Sequence, residues 1–179
     1  MEVDWYTVCD EKNILLEKND DNMYKLTFDI YEDNENEFSV IDILKNDQLF
    51  DLLYELNKDL IESVDVSEKN NIKSVVIKII NINNEYNKDE KKTVHLNFAY
   101  TFQKNKCEID SIIHSVKKDE DNPDNVYIST FNMSFAEEGK ITRVLLTFNV
   151  DDVVDNNLAQ MYLGLYFKKI FYRFKLYFE

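Results

Sequence analysis

At 179 residues, with 44% apolar and 13% aromatic side chains, the chain can bury the core of one domain, and disorder is excluded despite a net charge of -14. It holds two glycines and one proline, against ordinary usage of about 7% and 5%, so its turns must rest on Asn and Asp, which tolerate left-handed backbone. Gly139 and Gly164 stand far apart, which removes glycine-rich phosphate loops and, with them, P-loop and dinucleotide chemistry.

The first residues, MEVDWYTVCDEK, lack a positive start and an apolar run, so a cytoplasmic protein with reduced, buried Cys9 and Cys107 is expected. Val3–Val8 and Ile14–Glu17 suit short strands. Tyr24, Leu26, Phe28 and Ile30 alternate with polar residues and predict a half-buried strand over 24–31. After an acidic turn at 32–37, Leu49, Leu52, Leu53, Leu56 and Leu60 recur every three or four residues. That spacing predicts a helix over about 48–64, capped by Asp47, with Asp51 in its first turn and a start reaching back towards Ser39.

From Ser67 the period falls to two. Lys73–Ile82, Val94–Phe102, Val126–Phe135 and Ile141–Val150 read as strands, the last two joined by a hairpin with left-handed Gly139. Cys107–Val116 has helical spacing at Ile109, Ile112, Ile113 and Val116 but is short and β-branched, so it is assigned as a strand. The segment from about 156 to 177 returns to helical order, with carboxylates at Asp151, Asp152 and Asp155 ahead of it. Leu163, Tyr166, Phe167, Ile170, Phe171, Phe174, Tyr177 and Phe178 share one side of the wheel; Lys168, Lys169, Arg173 and Lys175 share the other. The expected architecture is a single α+β domain over 1–179: an antiparallel sheet of six to eight strands, one mid-chain helix and one long C-terminal amphipathic helix packed on it. Strand, helix, antiparallel meander and long C-terminal helix is an order shared with helix-grip folds, which hold apolar ligands between sheet and helix. That resemblance is one of element order.

Residues 156–179 carry +3 while the remainder carries -17. The plain explanation of the basic tail is docking on its own acidic domain, aromatics inward and lysines towards acidic loops or water. Spanning a membrane is excluded by length, since the charge-free run 156–167 is short of about 20 residues. Direct nucleic-acid binding is opposed by the field of the body. The acidic loops, with Asp20, Asp21, Glu32, Asp33, Glu35, Glu37, Asp119, Glu120, Asp121 and Asp124, form an expected surface for a protein with a basic face. An inhibitor, immunity protein or nucleic-acid mimic fits that layout.

Two alternatives come from other classes. One is a carrier of apolar ligand or unfolded polypeptide, with a pocket lined by Phe98, Phe148, Phe167 and Phe174; the other is a structural subunit that pairs through the same aromatic face as a homodimer. No cofactor or metal is expected. Asp119–Asp124 has proline and aspartate where a calcium loop needs a ligand and glycine, and His95 and His114 lack zinc-site spacing. Cys107 and His114 would need geometry that the sequence does not supply to act as nucleophile and base, so no catalytic residue and no enzyme is expected.

Overall fold

The computed structural model describes residues 3–33, 37–80, 91–112, 122, 124–128, 130–149 and 157–179, with only the backbone of 157–159. Three strands open the chain: β1 (Trp5–Glu11), β2 (Ile14–Asn19) and β3 (Met23–Tyr31). Two short helices follow, α1 (Val40–Lys45) and α2 (Leu49–Leu56). Then come β4 (Ile61–Lys69), β5 (Ile72–Ile80), β6 (Lys91–Gln103), β7 (Lys106–Ser111), β8 (Asn125–Tyr127), β9 (Thr130–Glu138) and β10 (Ile141–Asn149). The helix α3 (Asn157–Phe178) has 22 residues and spans about 33 Å.

All ten strands form one sheet in the order β1-β2-β3-β10-β9-β7-β6-β5-β4. The short β8 runs parallel to β6 along Thr93–His95, beyond the stretch of β6 that β7 covers. Ten strands exceed the six to eight expected for two local reasons. Residues 61–64, read as the end of a helix, belong instead to the edge strand β4, which runs to Lys69. Residues 126–135, read as one strand, divide into β8 and β9.

Asparagine and aspartate do set the turns. Among the described residues, positive φ outside glycine occurs at Lys12, Asn13, Asn22, Asp47, Asn70 and Asn71, so all but one are Asn or Asp. The pairs Lys12-Asn13 and Asn70-Asn71 close two-residue hairpins with both φ positive, the geometry that matches the twist of paired strands. Gly139 at φ 65° opens the β9–β10 turn as expected.

The mid-chain helix differs from expectation. Ser39 caps α1 through a capping box with Asp42. Asp47 is left-handed and gives its carboxylate to Lys73 instead of capping α2, so the helical run is broken into two. The second helix ends at Asn57, and Leu60 is buried in the following turn.

Sheet and helices share one core. Ile14, Leu16, Tyr24, Leu26, Phe28 and Ile30 are buried beneath α3 together with Val144, Leu146 and Phe148 of β10. The helix packs on β2, β3 and α2. It is buried around most of its circumference, since Lys168 and Lys175 are buried as well as the aromatics, while Tyr177 is exposed. This corrects the two-sided wheel: the lysine stems serve as packing surface. Close approach to the sheet occurs at Gly164, where a Cβ would lie 3.0 Å from Cδ1 of Tyr24.

Two of the four basic residues of α3, Arg173 and Lys175, are anchored on the domain, while Lys169 is exposed. Arg173 makes a two-pronged pair with Asp59, with Nη2 2.9 Å from Oδ2, and also donates to the carbonyl of Leu56 and Oδ1 of Asn57. Lys175 pairs with Glu179 and lies over the Tyr31 ring. The Asp33 N–H donates to the Phe178 carbonyl at 3.0 Å, closing the end of the helix onto the strand. Docking on its own body therefore accounts for the positive tail.

Candidate functional site: an apolar cavity beneath α3

Between the sheet and α3 lies a cavity of about 30 Å³. From the helices, Phe50 and Leu53 of α2 and Phe167, Ile170 and Phe171 of α3 form one side. From the sheet, Ile61, Val64, Ile77 and Leu96 form a second wall, and Phe131, Met133, Leu146 and Phe148 a third, with Ile128 between them. These positions alternate along their strands with outward residues, which is why the period-two segments deliver a continuous hydrocarbon surface.

Every lining residue is apolar, so the space attracts hydrocarbon and gives water no hydrogen-bond partner. Its volume is well below that of cavities that hold a benzene, about 150 Å³. A longer molecule therefore requires α3 and the sheet to part.

Of the four expected pocket residues, Phe148 and Phe167 line the cavity, edge to face at 5.2 Å. Phe98 is fully buried one layer behind it, 5.4 Å from Phe50 and 5.9 Å from Phe131. Phe174 is fully buried between Phe171 and Phe178, beyond the wall. The sequence reading missed Phe50, Met133, Ile170 and Phe171 as wall residues. Ile170 and Phe171 were legible as part of the apolar stripe; which turn of that stripe faces a void depends on packing.

A polar network fixes one end of the site. The Tyr166 hydroxyl donates towards the carbonyls of Leu60 and Ile80, the second at 2.9 Å, and burial raises its pKa. Asn57, fully buried, donates to Leu53 O at 2.9 Å and accepts from Arg173 at 3.3 Å. The hydrogen bond from Arg173 holds the Asp59 carboxyl below the usual range. At the other end Tyr24 stacks on Phe148 at 5.5 Å. Its hydroxyl is buried without a hydrogen-bond partner among the described residues, and burial pushes the phenol up to about 12.

The expected acidic surface is not brought together. Asp20 and Asp21 lie at one end of β3, and Asp33 and Glu37 follow its other end, about 30 Å along the strand. Asp124 sits four strands away, facing Lys92 at 3.4 Å. Glu32 turns inward, accepting from the Thr142 hydroxyl at 2.5 Å and the Val40 N–H at 3.3 Å. Glu35, Asp119, Glu120 and Asp121 lie outside the described residues, as do His114 and most of the stretch around Pro123.

The Cys107 thiol is fully buried and pushed up to about 12 by that burial, then by Glu108, which removes it as a nucleophile at neutral pH. Cys107 belongs to strand β7, so the helical alternative for 107–111 is dismissed; 113–116 lie outside the described residues. His95 stacks on Tyr127 at 4.7 Å and meets Asn125 at 3.1 Å on the outer face. Among the described residues no group of three or more His, Cys, Asp or Glu is placed to hold a metal. No helix among them is long and apolar enough to cross a membrane.

A long C-terminal helix held against a continuous antiparallel sheet, with two short helices between its third and fourth strands, decides the fold. It is a helix grip. The human StarD13 (DLC2) lipid transfer and protein localization domain superposes with a TM-score of 0.65 over 99% of this chain and 90% of its own, at 11% identity. Human StAR-related lipid transfer protein 5 gives 0.57 over 98% and 88%, at 7% identity. A STAR-related lipid transfer protein from Xanthomonas axonopodis gives 0.53 over 93% and 96%, also at 7%. At these identities the likeness is one of fold. No protein-family model and no curated protein matches the chain by sequence.

Proposed function

We propose that this helix-grip protein is a non-enzymatic carrier that binds an apolar ligand between α3 and the sheet. The single observation that carries the reading is the cavity itself, lined by apolar side chains alone and bordered by Phe167, Ile170 and Phe171 of α3. A core that existed only for stability would gain by filling such a space, because each unfilled volume forfeits dispersion contacts. Likeness of fold to domains named for lipid transfer supports the same reading. The ligand would enter as α3 shifts outward on its Arg173–Asp59 and Tyr166 anchors, exchanging its own apolar surface for that of the helix.

The acidic-inhibitor reading has less support, since the described acidic residues face three separate directions and Glu32 is engaged internally. The test is direct binding of labelled long-chain lipids to the purified protein and to Met133→Phe, which places bulk in the void. Lipid binding by the wild type, weakened at least about tenfold in a variant with unchanged circular dichroism, is expected. Equal binding by both proteins would move the ligand out of the cavity.

A further inference from the structure

The inner layer has a polar pole that the apolar cavity does not explain. Lys18 pairs in register with Tyr24 across β2 and β3, on the same face as buried Ile14 and Leu16. It is half-buried, its Nζ sits 5.6 Å from the Tyr24 ring centroid, and among the described residues it meets no carboxylate. By contrast Lys25, on the opposite face, takes a carboxylate (Glu17, 2.7 Å). Beyond that ring, the Tyr24 hydroxyl is fully buried and has no hydrogen-bond partner among the described residues. A half-exposed ammonium and a buried phenolic hydroxyl lie one ring thickness from the hydrocarbon cavity, because Tyr24 stacks directly on its wall residue Phe148.

A cationic donor beside a buried hydroxyl that has no partner among the described residues fits an oxyanion on the ligand. We propose that, given the carrier reading, Lys18 and Tyr24 form the head-group subsite and that the ligand is a single-chain lipid carboxylate, its chain running past Phe148 and Phe167 beneath α3. One lysine balances one negative charge, which selects a carboxylate over a doubly charged phosphate monoester. Tyr24 donates the second hydrogen bond and stays a neutral donor through the physiological range, since its burial disfavours the phenolate. Gly164 lets α3 lie directly over this ring, so the head group would be covered by the helix once bound.

Binding of radiolabelled oleate, oleyl alcohol and lysophosphatidate to the whole protein tests the proposal. Oleate is expected to bind about tenfold more tightly than oleyl alcohol. Lys18→Met and Tyr24→Phe should each remove most of that preference by weakening oleate more than oleyl alcohol, and Tyr24→Phe keeps the ring and its stack. Equal binding of oleate and oleyl alcohol, or a preference that survives both substitutions, would overturn the head-group assignment and leave the carrier reading standing. Tighter binding of lysophosphatidate than oleate would overturn the choice of carboxylate. Failure of all three lipids to bind would overturn this proposal and the carrier reading together.

Discussion

Replacing Tyr24 by phenylalanine deletes one oxygen from the centre of the molecule and leaves the ring, its stack on Phe148 and its contact with α3 in place. The hydroxyl is fully buried and has no hydrogen-bond partner among the described residues. A buried donor in that state costs about 1–3 kcal/mol of desolvation that no bond offsets. The space vacated is about the size of one oxygen atom, and the void term for it is about 0.3 kcal/mol. Tyr24→Phe should therefore stabilise the protein by about 1 kcal/mol or more, raising the melting temperature by about 2–4 °C for a chain of this size. Urea unfolding provides the measurement, with an increased midpoint and an unchanged slope.

The same residue leaves a mark at high pH. Burial lifts its phenol from 10 to about 12, so between those values the unfolded state binds fewer protons than the folded one, and stability falls as pH rises. Burial raises Tyr100, Tyr166 and Cys107 in the same direction, so in Tyr24→Phe the alkaline decline should become shallower without disappearing. A loss of 1 kcal/mol at neutral pH in the phenylalanine variant would refute the reasoning, since it would mean that the hydroxyl is already satisfied in the folded protein.

Three further outcomes are expected. Arg173→Lys keeps the charge but loses the two-pronged geometry and the bonds to Leu56 O and Asn57, and should cost about 1 kcal/mol in thermal unfolding. Because pairing lowers the Asp59 pKa, that cost should be present near neutrality and shrink as pH falls below about 4, which Asp59→Asn would mimic at pH 7. Gly164→Val drives methyl groups into the Tyr24 ring and Leu16 and should destabilise by about 2 kcal/mol; combining it with Tyr24→Leu should recover part of the loss, read from a double-mutant cycle. Asn57→Ala removes the side-chain donor to the Leu53 carbonyl and one of several acceptors of Arg173, and should cost about 1–2 kcal/mol in urea unfolding.

Much of this architecture was legible in residue patterns, and the failures have local causes. The alternation of Tyr24, Leu26, Phe28 and Ile30 gave a strand whose inner face is fully buried, because one side of a sheet must meet the core. The stripe from Leu163 to Phe178 gave α3 within a residue or two of its ends. The mid-chain leucines misled because Leu60, in helical phase with Leu53 and Leu56, is buried by a turn, and the helix stops where Asn57 leaves helical geometry. Asp47 looked like a cap but pairs with Lys73, a partner 26 residues away that no local pattern reveals. The site was half legible: Phe148 and Phe167 line the void, while Phe98 and Phe174 are equally apolar and lie in the layers behind. Lys18 went unnoticed because a single lysine in a strand normally marks the wet face.

The central seam of the sheet, where β3 meets β10, joins Tyr31 to Ile141 and Met23 to Asn149, partners more than a hundred positions apart along the chain. The hairpins on either side can zip locally within microseconds, but the layer that β3 and β10 present to α3 is complete only once that distant pair meets. Loop closure on that scale sets a high entropic barrier, so refolding should be slow and should gain its tertiary signals in one late step, with both halves of the sheet becoming protected against hydrogen exchange together.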